Sequence, residues 1–180
     1  MKFTVEKNII FKSLSHVQSI VEKKNTLPIL SNVMLEVGEN SLTLSSTDMD
    51  ISITEKIECS VTEQGSTTVL AQTLYDIIRK LSDSSEIEFI SNDGKILSLR
   101  SGKSKFSLSC LPKEDFPIIE IGDLENEINI SSRDLLSLIN KTRFAISNEE
   151  TRYFLNGVYF HKKIEDEINY LSVVATDGHR

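Results

Sequence analysis

The sequence predicts an α+β fold made of repeated βαβββ units, and three observations carry that prediction. A short alternating strand, a helix-period stretch and three closely spaced strands follow one another twice before residue 111. A proline-bearing break comes next, and the same pattern then begins again. Positive charge collects in the helix-period stretches and leaves the strands and turns acidic.

Phe3 and Val5 share one face of the opening strand. From Asn8 to Lys23 the spacing of Ile10, Leu14, Val17 and Val21 predicts a helix, with Lys12, Ser15, Ser19, Glu22 and Lys23 on its other face. Lys24–Pro28 ends it. Ile29–Val37, Leu42–Ser45 and Ile51–Glu55 then read as a meander, turned at Gly38-Glu39-Asn40 and Thr47–Asp50. The second unit takes Thr67–Leu70 as its strand and Ala71–Leu81 as its helix, with Leu74, Ile77, Ile78 and Leu81 on one side. Its meander is Glu86–Ser91, Ile96–Arg100 and Lys105–Cys110, with a hairpin signal at Asn92-Asp93-Gly94.

Two prolines and three charges in Leu111–Pro117 mark a linker, so one domain is expected over 1–118 and part of a second over 119–180. In the second, Ile128–Ile130 matches Phe3–Val5. Ser131–Thr142 reads as a helix with a Ser131/Asp134 cap and with Leu135, Leu136 and Ile139 inward. Leu155–Val158 stands where Leu30–Val33 stood, and Leu171–Asp177 echoes Leu42–Asp48. The last strand runs into a Thr-Asp-Gly turn with no strand returning, so the chain is expected to be the front part of a longer protein.

Apolar residues make up 39% and charged residues 26%, an ordinary balance for a soluble core. No run approaches membrane-spanning length and the N-terminus lacks a secretory apolar region, so no membrane association is expected. Cys59 and Cys110 show neither CxxC nor metal-ligand spacing. A cytoplasmic protein with reduced thiols, no metal and no cofactor is the expectation. The net charge of −7 argues against coating nucleic acid through overall basicity. Yet residues 8–24, 72–82 and 132–143 together carry +5, leaving −12 on the remainder. Either these are solvated helix faces with scattered lysines, or they form a surface that follows a polyanion through its phosphates without reading bases.

Met1–Val5, Thr26–Leu30, Arg100–Ser109, Leu111-Pro112 with Asp115-Phe116-Pro117, Arg152–Gly157 and Val174–Arg180 together resemble the β sliding clamp family of bacterial DNA polymerase III, in order and across the whole chain. The resemblance implies the DNA-clamp fold, with antiparallel sheets outside and helices on one face. It implies a three-domain chain, paired head to tail into a ring around duplex DNA, with no catalysis of its own. It also implies a cytoplasmic, nucleoid-associated location and three kinds of protein partner: the polymerase III α subunit, the clamp loader and repair proteins, all docking through short motifs. Retention by enclosure suits sliding, because strong base contacts would act as traps.

By the same resemblance, Leu155, Thr176, Gly178, His179 and Arg180 form half of a partner-peptide pocket, with Arg152, Tyr153 and Phe154 beside it. The chemistry is apt: Leu155 offers an apolar wall, Gly178 allows close backbone approach, and Arg180 can meet a carbonyl or an acid. Lys24 corresponds to a DNA-facing position; Lys12, Arg79, Lys80 and Lys141 are the further helix cations expected to face DNA. Lys103, Lys105, Phe106 and Leu108 correspond to the dimer edge. With no third domain that edge lacks a partner, so a chain of this length is expected not to close a ring. Glu149 stands where the family shows a neutral polar residue, and no DNA contact is assigned to it.

Other readings compete with these. Asp177 and His179 could form an acid–base pair of a small enzyme, but no nucleophile accompanies them, and Asp48 occupies the same turn position without a histidine. A monomeric peptide-binding scaffold is the other alternative. Gly102-Lys103-Ser104 imitates a phosphate loop, but Leu97 replaces the needed glycine and a strand follows. His16 and His161 are expected at the surface.

Overall fold

In a computed structural model that describes residues 1–21, 27–118 and 128–180, the chain forms two units, Met1–Ile121 and Gly122–Arg180. The first unit begins with β1 (Lys2–Glu6) and α1 (Lys7–Val17). A 3-10 turn at Pro28–Ser31 leads into β2 (Asn32–Val37), β3 (Ser41–Thr47), β4 (Ser52–Glu58), β5 (Ser60–Glu63) and β6 (Gly65–Leu70). Then come α2 (Ala71–Lys80), β7 (Glu86–Ile90), β8 (Ile96–Ser101) and β9 (Ser104–Leu111).

Several elements differ from the sequence reading, and Ile128–Ile130, matched there to the first strand, is not in a strand. The first helix leaves α geometry at Val17 because the Ser46 hydroxyl, reaching from β3, donates to the Val17 carbonyl at 2.5 Å. Val21 N–H therefore bonds Gln18 at 3.1 Å, and a short 3-10 turn results. Ile29 and Leu30 lie in the 3-10 turn that Pro28 opens rather than in a strand. The reading also passed over β5 entirely.

All strand pairs are antiparallel, in the order β4-β3-β2-β6-β9-β8-β7-β1-β5. The two βαβββ units exchange their first strands. β1 lies along β7 from Lys2↔Ile90 to Glu6↔Glu86, and β6 lies along β2 from Asn32↔Leu70 to Val37↔Gly65. Each unit thus completes the other's meander.

Laid flat, nine strands would span roughly 38 Å. Yet inward residues from both ends, Leu42 and Leu44 on β3 and Phe3 on β1, share one core with Leu14 of α1 and Leu74 of α2. The sheet must therefore curl around the helices. Its two end strands, β4 and β5, are separated in the chain only by Cys59. Phe3 and Phe89 stack across β1 and β7 with ring centres 4.6 Å apart. Lys7, the first residue of α1, is buried and paired with Asp83, its ammonium 5.3 Å from the Phe11 ring.

The second unit contains α3 (Ser132–Thr142), then a 3-10 turn at Arg143–Ala145, another at Glu150–Leu155, and the hairpin β10 (Tyr159–Glu165) and β11 (Ile168–Val174). Ser131 caps α3, its hydroxyl oxygen accepting from Asp134 N–H at 3.1 Å. Leu135, Leu138 and Ile139 are half-buried, but Leu136 is 59% exposed, so the inward stripe uses Leu138 in its place. Asp166 and Glu167, both at positive φ, make the two-residue hairpin turn.

Candidate docking groove and basic helix faces

The turn after β11 is closed by two side chains. Asp177 Oδ1 accepts from the N–H groups of His179 (2.9 Å) and Arg180 (3.1 Å). The Thr176 hydroxyl donates to the Arg180 carbonyl at 2.7 Å and accepts from Gly178 N–H at 3.0 Å. The same lattice of bonds closes the turn after β3. Asp48 Oδ1 takes the N–H groups of Asp50 and Ile51, and the Thr47 hydroxyl bonds Ile51 O and Met49 N. The third residue has positive φ in both, +83° at Met49 and +88° at Gly178. The Thr-Asp repeat in the sequence is therefore a repeat of geometry.

Asp177 is engaged within its own turn. Its other oxygen accepts from Arg180 Nε at 2.9 Å, and the two backbone donors together with the Arg180 charge hold the carboxyl below its ordinary range. The Asp177–His179 bond is to the backbone N–H of His179. Among the described residues no cluster of three or more His, Cys, Asp or Glu side chains could hold a metal.

The loop before β10 brings a second guanidinium to this turn. Arg152 sits at a kink (φ −113°, ψ 45°) inside the 3-10 turn, and its Nη1 lies 3.2 Å from where a Cβ on Gly178 would stand. Arg152 Nε pairs with Glu149 Oε2 at 3.1 Å. Ser147 N–H bonds the Leu155 carbonyl at 3.1 Å, tying half-buried Leu155 to the loop. Tyr153 and Phe154, both exposed, meet edge to face at 5.9 Å, and the Arg180 guanidinium lies 5.9 Å from the Phe144 ring. Arg152 and Gly178 are thus brought together; His179 is exposed, and its backbone N–H is held by Asp177.

Lys24 lies outside the described residues. In the first unit α1 and α2 lie side by side, joined by the Phe11–Tyr75 stack at 5.3 Å and a Gln18–Gln72 hydrogen bond of 2.9 Å. Lys12 and Lys80 are exposed, whereas Arg79 is engaged by Asp76 at 2.9 Å and by the Tyr75 ring at 5.8 Å. Lys141 is exposed in the last turn of α3. On β9, Phe106 and Leu108 pack toward the core while Lys105 points outward, with exposed Lys103 in the preceding turn. β9 pairs with β8 along Ser104–Ser109 but meets β6 only at Cys110 and Leu111, leaving one backbone edge open among the described residues. Gly102-Lys103 is the tip of that β8–β9 hairpin.

Residues 1–120 match the family model described as DNA polymerase III beta subunit, N-terminal domain, and residues 129–180 match the model of its central domain. The chain belongs to the DNA polymerase III beta subunit family. It is 44% identical over 181 aligned residues to the beta sliding clamp of Caulobacter vibrioides, covering 100% of this chain and 49% of that one. Against the beta sliding clamp of Escherichia coli K12 the identity is 38%, with 48% of that protein covered. A solved Caulobacter crescentus beta sliding clamp superposes with a TM-score of 0.94 at 44% identity, over 99% of this chain and 48% of the other. A sliding clamp from Bartonella birtlesii, solved bound to griselimycin, gives 0.94 at 45% identity, again over 99% and 48%. The chain thus spans about half the length of these relatives. The α+β architecture of antiparallel sheet and few helices is that of the family's solved members.

Three residues of the groove escaped the sequence reading: Phe144, Glu149 as the partner of Arg152, and Asp177 as the partner of Arg180. Both ion pairs sit at i,i+3 spacing within a turn, a signal that was available. Phe144 carried none, because only folding brings it to Arg180. No described helix is long and apolar enough to cross a membrane.

Proposed function

We propose that this chain supplies the first domain and part of the second in a homodimeric ring that encircles duplex DNA and tethers the replicative polymerase for processive synthesis. Partner proteins, namely the polymerase α subunit, the clamp loader and repair factors, dock by short motifs on the groove of Arg152–Leu155 and Thr176–Arg180. The role is non-catalytic and cytoplasmic. The observation that carries this reading is the helix pair α1/α2, held inside a curled sheet with Lys12 and Lys80 exposed on an acidic protein. Such cations attract phosphate without reading bases, and an acidic exterior discourages DNA elsewhere. The open edge of β9, with Phe106 and Leu108 inward and Lys103 and Lys105 exposed, supports pairing with a second copy.

Loading of the full-length protein onto nicked circular DNA tests enclosure. Retention that disappears on linearisation is expected; retention that survives it would sink the ring. For docking, a fluorescent motif peptide is titrated against wild type and Arg180→Ala, and unchanged affinity would remove Arg180 from the groove.

A further inference from the structure

The proposed docking surface holds two guanidiniums, and each gives its Nε to one of the chain's own carboxylates. They are held very differently. Asp177, which takes Arg180, also closes the turn through two backbone N–H groups, so releasing it would undo the turn. Glu149, which takes Arg152, has no such second duty: among the described residues its carboxylate bonds only the Arg152 guanidinium, at 3.1 Å. Its backbone is fixed independently, Glu149 N–H bonding the Ser147 hydroxyl at 3.1 Å and its carbonyl taking Arg152 N–H at 3.0 Å. The side chain can therefore swing away while the loop keeps its shape. Both members of this pair are about half exposed, at 44% and 56%, so water can replace either partner.

We propose that Glu149 is a built-in competitor for the acidic residue of a docking peptide: it parks Arg152 against Gly178, and an incoming carboxylate takes its place. This rests on the docking reading above and adds how the groove selects among peptides. Charge complementarity names the occupant: a short peptide with apolar anchors for Leu155 and the Tyr153–Phe154 ring pair, and one carboxylate for Arg152, whose own carboxylate partner is free to swing away. A neutral peptide leaves the Glu149–Arg152 pair intact. An acidic one that takes Arg152 Nε displaces Glu149, so its gain in affinity is reduced by whatever that pair is worth.

The test uses the full-length protein and two labelled hexapeptides containing leucine and phenylalanine, identical except for one aspartate or asparagine, titrated by fluorescence anisotropy. Glu149→Gln is expected to tighten the aspartate peptide about two- to fivefold, the range an exposed ion pair allows, and to leave the asparagine peptide unchanged. With Arg152→Gln in place, Glu149→Gln should no longer change the affinity of either peptide. Equal effects of Glu149→Gln on the two peptides, or none on either while wild type binds both, would overturn the competitor role and leave docking standing. Failure of every protein to bind either peptide would remove the docking reading and this inference together.

Discussion

Removing the Phe3 ring tests the strand exchange directly. Phe3 is fully buried and stacks on Phe89 at 4.6 Å with the rings 3° from parallel. Phe3→Ala leaves a cavity between β1 and β7, at a typical cost of about 3–5 kcal/mol. A domain of this size commonly has about 5–15 kcal/mol in total. With a urea slope of about 2 kcal/mol/M, the unfolding midpoint should fall by roughly 1.5–2.5 M. Far-UV circular dichroism during urea titration gives the midpoint, and amide exchange locates the damage. Because β1 begins one βαβββ unit and is paired into the other, amides of β7 and β8 should lose protection together with those of α1. A midpoint shift below about 0.5 M, or loss confined to β1 and β5, would refute the idea that exchanged strands bind the units into one cooperative body.

Gly178→Ala should destabilise the second unit by about 0.5–1 kcal/mol, left-handed strain of roughly 1–2 kcal/mol being partly offset by lower unfolded-chain entropy; thermal melts of the two proteins measure it. Ser131→Ala should cost about 1 kcal/mol by removing the cap of α3, seen as faster amide exchange in its first turn. Acid should weaken the first unit. A hydrogen bond from the Lys7 ammonium holds Asp83 below its ordinary value of 3.8, and the Lys95 N–H does the same for Asp93. A depressed carboxyl contributes stability above the unfolded value and loses it as pH falls through the folded one. Asp83→Asn should therefore be less stable than wild type at pH 7 and converge on it in strong acid, as read from urea midpoints across pH.

The elements that were legible in the sequence are those whose signal is local. Leu74, Ile77, Ile78 and Leu81 mark α2 almost to the residue, and the Ser131/Asp134 pair marks the start of α3. The end of α1 was not legible, because the hydroxyl that stops it belongs to Ser46, far along the chain. Ile57, Cys59 and Val61 alternate inward with Glu58 and Ser60 between them, but no turn residue marks the corner that divides β4 from β5. The Asp166–Glu167 turn has no glycine or asparagine to announce it. Strand exchange lies beyond any periodicity, since the pattern says which face is apolar and not which strand lies alongside. In the groove, the residue types were legible from family likeness, while the pairing that restrains each arginine needed coordinates.

The twin turns also differ in what stands on them. Where the first copy carries a methionine, an exposed thioether side chain projects from the bend. Where the second carries a glycine, nothing but hydrogen projects, and the bend becomes a bare ledge with an arginine tip resting on it. The two turns share one shape, and the docking proposed above would use the one whose third residue adds no side chain.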